Sequence, residues 1–167
     1  MTTRGDDQTG HLTRLGTGRL ERPGAPHAGL LESFPNRQPE RPYIIRLTFP
    51  EFTSLCPVTG QPDFGTIVAD YIPGRLCLES KSYKLYLFAF RDHQAFLETI
   101  TNTILNDLVI AVDPPWCRVK GLFTPRGATR IQVFAEHFKE PVAEDLRDLV
   151  RDWKAEAAPH APALHML

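Results

Sequence analysis

The stretch DHQAFLETITNTILNDLVIAVDPP, residues 92–115, decides the fold of this chain. Its apolar residues recur at every fourth position: Phe96, Ile100, Ile104 and Leu108. This spacing places them on one face of a helix, so the sequence predicts a long amphipathic helix that Asp92 caps. Proline has no amide donor and disfavours a helical residue before it, so the pair Pro114-Pro115 is expected to end the helix near Val112.

Strands are predicted on both sides of this helix, where apolar and polar residues alternate. The alternation covers residues 43–49 and 64–72 before the helix, and 116–123 and 129–136 after it. Residues 124–127 contain a proline and a glycine, which suits a tight turn between the last two strands.

Two further helices are predicted, a short one over 80–90 and a last one over 142–154. Without that last helix, the order of elements is strand, strand, helix, helix, strand, strand. This order indicates an α+β fold in which an antiparallel sheet carries both inner helices on one face. A four-stranded sheet has two open edges that invite pairing with another chain, so we expect assembly into a multi-subunit ring or barrel.

The length and composition fit one domain. The chain has 167 residues, 42% of them hydrophobic, and a net charge of −1. We expect a single domain over 42–154. Residues 1–41 are rich in glycine and proline and lack a periodic apolar face, and residues 155–167 are rich in alanine, proline and histidine. A flexible N-terminal arm and a flexible C-terminal tail are therefore expected around the domain.

Composition also limits the partners. A near-neutral charge gives no general reason to expect direct contact with nucleic acid or a membrane. No apolar run approaches the roughly 18 residues of a spanning helix and the first residues lack a secretory core, so a cytoplasmic location is expected. Three widely spaced cysteines, Cys56, Cys77 and Cys117, suit a reducing compartment. The sequence has neither a CxxC nor an HxxxH pair, so no metal site is predicted.

One loop combines a cysteine with an acid. Cys56 lies in the middle of the loop over 53–63, and Asp63 lies at its end. A thiol is mostly protonated near neutral pH, so a nucleophilic cysteine needs a proton acceptor, and a returning loop would bring Asp63 to that position. The alternative is that Cys56 is a small buried residue and Asp63 a turn residue. Cys77 and Cys117 are interpreted as core residues.

Three basic residues are candidates for binding phosphate. Lys81 and Lys84 share one face of the first inner helix. Ser80 or Ser82 can cap its start, where free amides and the helix dipole favour an anion. The alternative is an ordinary solvated face. Arg126 is either a turn residue or a phosphate ligand.

The start of the long helix carries two residues that suit a purine. The Glu98 carboxylate can accept two hydrogen bonds from a guanine-like edge, and Phe96 offers a ring for stacking. The alternative is a first-turn glutamate, favoured by the helix dipole, beside a core phenylalanine.

Three segments together resemble one enzyme family: SLCPVTGQPDF at 54–64, ESKSYKLYLFAFR at 79–91 and GLFTPRG at 121–127. Over about residues 42–138 the chain resembles the 7-cyano-7-deazaguanine reductases, NADPH-dependent nitrile reductases of queuosine biosynthesis, in their short single-module form. The resemblance implies a tunnelling fold, pentameric rings stacked as a homodecamer, NADPH as cofactor and a small deazapurine as substrate.

The resemblance also implies a role for each matching residue. The family's nucleophile falls on Cys56 and its proton donor on Asp63. Substrate contacts fall on Leu78, Glu79, Ser80, Phe96, Leu97 and Glu98. Cofactor contacts fall on Lys81, Lys84 and Arg126. Two positions depart from the family pattern, since Leu97 stands where a histidine is common and Ala128 where a second glycine is.

The activity implied is reduction of 7-cyano-7-deazaguanine to 7-aminomethyl-7-deazaguanine in queuosine tRNA modification. Cys56 would attack the nitrile carbon while Asp63 protonates the nitrogen, giving a covalent thioimide that two NADPH then reduce. One alternative is an archaeosine-type amidinotransferase, which the intact ESKSYKLY motif disfavours. A zinc-dependent cyclohydrolase of the same fold lacks its ligand pattern here. The remaining alternative is a non-catalytic purine-binding oligomer.

Overall fold

The structure is a computed structural model that describes residues 13, 23–142 and 144–156. Its strands are β1 (Ser33–Pro35), β2 (Ile45–Leu55), β3 (Pro62–Ile72), β4 (Leu76–Leu78), β5 (Trp116–Phe123) and β6 (Gln132–Phe138). Its α-helices are α1 (Ser80–Phe88), α2 (Leu97–Val112) and α3 (Glu144–Glu156), with short 3-10 helices at Ala28–Leu30 and Ala89–Asp92. The main sheet is antiparallel in the order β2-β3-β5-β6, and β1 pairs with β4 beside it.

One face of the main sheet carries α1 and α2, as predicted. Alternate residues of β3 and β5 point toward these helices and are buried in one core: Ile67, Ala69, Tyr71, Cys117, Val119 and Phe123. From α2, Ile100, Ile104 and Leu108 reach the same core with 1% or less of their surface exposed. Each buried aliphatic side chain contributes about 1.5–3 kcal/mol, so this interface holds α2 on the sheet. The predicted order of strands and inner helices is confirmed.

The long helix begins later than predicted. α2 starts at Leu97 with Phe96 as its N-cap, and Asp92 instead ends the preceding 3-10 helix. The cause is a backbone connection to the end of β2, because Leu55 N donates to His93 O (3.0 Å) and Ala95 N donates to Leu55 O (3.3 Å). These bonds hold the chain extended before α2, so the predicted cap at Asp92 is wrong. Phe96 consequently lies outside the core, with 59% of its surface exposed.

The end of α2 agrees with the sequence. Asp113 follows the last turn with a left-handed backbone (φ 43°), and its N–H donates to Val109 O (2.9 Å). The two prolines after it prevent continuation of the helix.

The last helix covers the opposite face of the sheet, a position the sequence did not indicate. Val150 of α3 packs with Ile72 and Trp116 in a second core, and Trp153 lies against it. The ring of Trp153 meets Trp116 edge to face, with centroids 5.6 Å apart. The sheet is therefore covered on both faces over part of its area.

A buried ionic cluster lies beneath α3. Asp70 has no exposed surface and accepts hydrogen bonds from Arg46 Nε (2.6 Å) and Arg118 Nη2 (3.1 Å). Lys120 Nζ is 3.9 Å from the same carboxylate. Burial and the neighbouring Arg118 lower the pKa of Lys120, while Asp70 raises it. The negative charge of Asp70 thus compensates the positive charges of Arg46, Arg118 and Lys120, which the fold places together.

Part of the expected N-terminal arm is folded onto the domain. Leu30 and Leu31 are buried in the main core, and Ser33 of β1 pairs with Leu78 of β4. The expectation of a flexible arm extending to residue 41 is therefore wrong for 28–35, because isolated leucines can fill a core without a periodic pattern. The rest of the arm before residue 23, apart from residue 13, and the tail over 157–167 lie outside the described residues.

Several boundaries also differ from the prediction. β2 continues to Leu55 through an irregularity in its pairing between Phe49 and Phe52. The predicted tight turn is a longer loop, in which Arg126 pairs with Thr129, and β6 begins only at residue 132.

In the part of the chain that the structure describes, no helix combines the length and apolar character needed to cross a membrane.

Candidate active site

Cys56 lies at the end of β2, in a turn that returns the chain to β3. Its N–H donates to Gln61 O and its carbonyl accepts from Gly60 N, both at 2.9 Å. Gly60 has a positive φ of 67°, which a residue without a side chain adopts without strain. The return places Asp63 directly opposite Ser54 in the β2–β3 pairing. Cys56 and Asp63 therefore belong to one hairpin, with Cys56 two residues after the partner of Asp63.

Arg126 joins this pair from the loop between β5 and β6. Its Nη1 lies 2.7 Å from Oδ1 of Asp63, whose side chain is only 8% exposed. Arg126 also helps to lower the pKa of the Cys56 thiol, as the smallest of its causes. The loop turns through two consecutive left-handed residues, Gly127 (φ 58°) and Ala128 (φ 63°), which aim Arg126 back at the hairpin. Sequence reasoning offered Arg126 as a phosphate ligand and did not place it beside the thiol.

The Cys56 thiol is set up to ionise near neutral pH. Its pKa is lowered from 9.0 to about 7, chiefly by a hydrogen bond from the Thr59 side chain. Backbone N–H groups of Thr59 and Val58 and the Arg126 side chain act in the same direction, whereas burial opposes them. The thiolate is the nucleophilic form, so a large fraction of this residue is reactive at pH 7.

All three cysteines are buried, and Cys56 is as little exposed as Cys77, at 5%. Cys117 is fully buried, and burial followed by the charge of Asp70 raises its pKa to about 12. Cys77 is also buried, with its sulfur 3.5 Å from the Tyr43 hydroxyl. All three cysteines are free thiols. The interpretation of Cys77 and Cys117 as core residues is confirmed, and Cys56 is the thiol suited to chemistry.

The start of α2 borders the hairpin. Gln94 forms a bridge with Leu55, the residue before Cys56. Phe96 follows as an exposed aromatic residue, and Glu98 is exposed in the first turn of α2. Leu97 between them is 8% exposed and packs in the core. Phe96 and Glu98 thus follow this bridge by two and four residues, while Leu97 supports the helix.

The start of α1 is capped by Glu79. Its carboxylate accepts from Lys81 N (2.8 Å) and Ser82 N (2.7 Å), and it is 6% exposed. The Ser82 hydroxyl donates to Glu79 O (2.8 Å) and accepts from Glu32 N (2.9 Å). The predicted cap by Ser80 or Ser82 is therefore wrong. The expectation of free amides for phosphate is also wrong, because a carboxylate already occupies two of them.

Two groups of site residues lie at opposite ends of the sheet. Leu78 N donates to the Tyr71 hydroxyl (3.0 Å), which fixes the start of α1 at the far end of β3. Tyr71 and Asp63 are eight residues apart on this strand, or about 26 Å. Leu78, Glu79, Ser80, Lys81 and Lys84 belong to the far end. One copy of the chain therefore brings Cys56, Asp63 and Arg126 together, places Phe96 and Glu98 just after the bridge from Gln94 to Leu55, and leaves the α1 residues at the far end.

The lysines of α1 remain suited to an anion. Lys84 is exposed and Lys81 half-buried on the first turns of the helix.

A groove of about 500 Å³ near the other end of α1 is lined by Phe49, Phe64 and Phe88 among others and does not include Cys56. Within the described residues, no three histidine, cysteine, aspartate or glutamate side chains are grouped to hold a metal ion.

Comparison with known proteins identifies the family. A family model described as QueF-like protein matches residues 62–142. A relative from Desulfovibrio desulfuricans, named NADPH-dependent 7-cyano-7-deazaguanine reductase, is 62% identical over 97% of this chain and 100% of its own. A protein of the same name from Bacillus licheniformis is 47% identical over 83% of this chain and 84% of its own.

A solved structure shares the fold. The crystal structure of the archaeosine synthase QueF-Like in the apo form matches with a TM-score of 0.54 and 24% identity, covering 57% of this chain and 94% of its own. At this identity it supports the α+β tunnelling fold alone. The family rests on the relatives that match almost from end to end, and the resemblance drawn from the three sequence segments is confirmed. The chain belongs to the family of NADPH-dependent 7-cyano-7-deazaguanine reductases.

Proposed function

We propose that this chain is an NADPH-dependent oxidoreductase that reduces 7-cyano-7-deazaguanine to 7-aminomethyl-7-deazaguanine. The observation that carries the proposal is a thiol with a pKa of about 7, Cys56, in the same hairpin as Asp63, whose carboxylate pairs with Arg126. A soft nucleophile beside a proton-carrying carboxyl suits addition to a nitrile carbon. The end-to-end similarity to relatives with this name supports the same substrate.

The first step is addition of the thiol to the nitrile. Asp63 enters as a carboxylate held by Arg126 and accepts the thiol proton. The Cys56 sulfur forms a bond to the nitrile carbon, one π bond of the nitrile breaks, and Asp63 returns the proton to nitrogen. The product is a covalent thioimide, formed without net gain or loss of protons. Covalent attachment divides the reduction of a strong triple bond into easier steps.

Two reductions complete the reaction. NADPH, when bound, supplies hydride to the substrate carbon, once to the thioimide and once to the imine that follows. Between these steps the carbon–sulfur bond breaks and Cys56 recovers its thiol. Each reduction also takes up one proton from solvent, which we propose reaches nitrogen through Asp63. Lys81, Lys84 and Arg126 are the basic residues proposed to hold the cofactor's phosphates, and their positive charge suits that group.

The remaining site residues are assigned to the base. We assign the guanine-like edge to Glu98 and ring stacking to Phe96, since both are exposed beside the Cys56 turn. Leu78, Glu79 and Ser80 are proposed to contact the substrate from a second copy of the chain. This follows from the distance of about 26 Å that separates the two ends of β3 in one copy.

The proposal therefore includes a homo-oligomer, as pentameric rings stacked in a decamer. β2 and β6 are the edge strands of the main sheet, and exposed Phe134 lies on β6. Pairing of these edges between copies would close the sheet into a barrel and shield a hydrolysable imine from water. We place this activity in the cytoplasm, as a step of queuosine tRNA modification.

The test is the stoichiometry of cofactor oxidation. Protein, nitrile and NADPH are mixed, and loss of NADPH absorbance is compared with the aminomethyl product. Two cofactors per nitrile are expected. Intact-mass measurement without NADPH should show the nitrile added to wild-type protein and no addition to Cys56→Ala protein. Nitrile consumption without NADPH oxidation would instead indicate a transferase, and binding alone a non-catalytic oligomer.

The shared site has its own test. Cys56→Ala protein and Lys81→Ala/Lys84→Ala protein are each expected to be inactive. If a complete site combines residues of two copies, mixing and reassembling the two variants should restore part of the activity. Continued inactivity of reassembled mixed oligomers would contradict the shared site.

A further inference from the structure

One buried hydroxyl at the site has no hydrogen-bond partner. Ser54, the next-to-last residue of β2, has no exposed surface. Among the described residues, nothing hydrogen-bonds its Oγ. Buried polar groups are nearly always satisfied, because desolvating a hydroxyl without a hydrogen bond is costly. A buried hydroxyl without a hydrogen bond therefore points to a hydrogen-bond partner that it acquires in another state of the protein.

The position of Ser54 indicates that partner. Ser54 and Asp63 are directly opposite in the β2–β3 pairing. The Cβ atoms of such a pair lie about 4.5–5.5 Å apart, so rotation of the serine side chain brings its Oγ within reach of the carboxyl group. Arg126 contacts Oδ1 of Asp63, and Oδ2 can take a second hydrogen bond. Cys56 follows Ser54 by two residues, at the start of the turn that its own N–H closes by donating to Gln61 O.

We infer that Ser54 is a positioning residue whose hydroxyl hydrogen-bonds Asp63 during the reaction and orients its carboxyl group between the thiol and the substrate nitrogen. This inference rests on the proposed function. Arg126 can only donate hydrogen bonds, so it suits Asp63 in its ionised form. A serine hydroxyl both donates and accepts, so it can hold Asp63 before and after the carboxylate takes the thiol proton.

The experiment compares Ser54→Ala with Tyr83→Phe. The Tyr83 hydroxyl is also buried and without a partner among the described residues, yet it lies in the main core on α1. Neither substitution removes a hydrogen bond of the resting protein, so both variants should retain the wild-type melting temperature or exceed it. Ser54→Ala should lower kcat and the rate of thioimide formation about tenfold with KM little changed, because general acid–base catalysis depends on geometry. Tyr83→Phe should leave both rates unchanged.

A Ser54→Thr variant, which keeps the hydroxyl, should recover the rate of thioimide formation. The inference is overturned if Ser54→Ala forms the thioimide at the wild-type rate. It is also overturned if Ser54→Ala lowers both rate and melting temperature, since that identifies a structural hydrogen bond. If the wild-type protein neither adds the nitrile nor oxidises NADPH, the proposed function fails and this inference with it. Wild-type activity with an unaffected Ser54→Ala variant overturns this inference alone.

Discussion

Arg126 and Asp63 form an ion pair of 2.7 Å, and the same guanidinium helps to lower the pKa of the Cys56 thiol. One cation therefore acts on both the proposed nucleophile and the proposed proton carrier. A cysteine enzyme of this kind needs both a thiolate and a nearby carboxylate that carries protons. A carboxylate alone would disfavour a neighbouring thiolate by charge repulsion, and the shared cation offsets that effect.

The first prediction concerns this shared cation. Arg126→Gln should raise the pKa of Cys56 above about 7, because a donor to the thiolate is lost. Ultraviolet absorbance of the thiolate, taken as the difference from Cys56→Ala protein, measures this pKa across a pH series. Arg126→Lys keeps the charge and should shift the pKa less. An unchanged pKa in Arg126→Gln would show that the guanidinium does not act on the sulfur.

The second prediction concerns Thr59, whose hydroxyl is the main cause of the lowered pKa of Cys56. Thr59→Val removes the hydroxyl at nearly constant shape, and the pKa should rise from about 7 toward the ordinary 9.0. Thr59→Ser keeps the hydroxyl and should retain the wild-type pKa. In the proposed addition step the thiol proton reaches the nitrile nitrogen through Asp63, so thioimide formation by wild-type protein should decrease as pH rises through about 7, where that proton is lost to solvent. In Thr59→Val protein the same decrease should occur at higher pH; equal profiles for all three proteins would contradict the assignment.

The fold was largely predictable from the sequence because periodic patterns report directly on burial. The spacing of Ile100, Ile104 and Leu108 reflects the one face of α2 that packs on the sheet. The start of α2 was not predictable in the same way. It depends on hydrogen bonds between Leu55 and the residues before the helix, a tertiary contact that outweighs the capping preference of Asp92.

The site was predictable only in part. Cys56 and Asp63 are close in sequence, so a returning loop was enough to suggest their contact. Arg126 reaches them from another hairpin, and Thr59 looks like an ordinary turn residue in the sequence. The sequence held one indication for Ser54. It is polar, yet it lies two residues after Phe52, which faces the core. Such a polar residue at a core position is a reason to look for a function.

The third prediction concerns the buried Asp70. Asp70→Asn should lower the free energy of unfolding by about 3–5 kcal/mol, because Arg46, Arg118 and Lys120 would then share a buried site without compensating charge. The matched control is Asp113→Asn, since Asp113 is paired with Lys139 at the surface and is 66% exposed. That change should cost less than about 1 kcal/mol. Urea unfolding measures both, and equal small losses would show that the cluster does not depend on the carboxylate.

The last prediction concerns a close approach of α2 to the sheet at Gly121. A Cβ added at Gly121 of β5 would lie 2.5 Å from Thr101 Oγ1 of α2 and 2.5 Å from the ring of Phe123. Thr101 is fully buried and donates to Leu97 O, so it cannot move without displacing the first turn of the helix. Gly121→Ala should therefore lower the free energy of unfolding by about 1–3 kcal/mol. It should also weaken substrate binding, because Phe96 and Glu98 lie on that turn.

Gly24 provides the control, since a Cβ there meets no atom within 4 Å. Gly24→Ala should change the free energy of unfolding by less than about 0.5 kcal/mol and leave KM for the nitrile unaltered. Urea unfolding and steady-state kinetics on both variants separate the two effects. If Gly121→Ala lost stability while KM stayed at the wild-type value, the first turn of α2 would not position the substrate, and the base contacts assigned to Phe96 and Glu98 would be wrong.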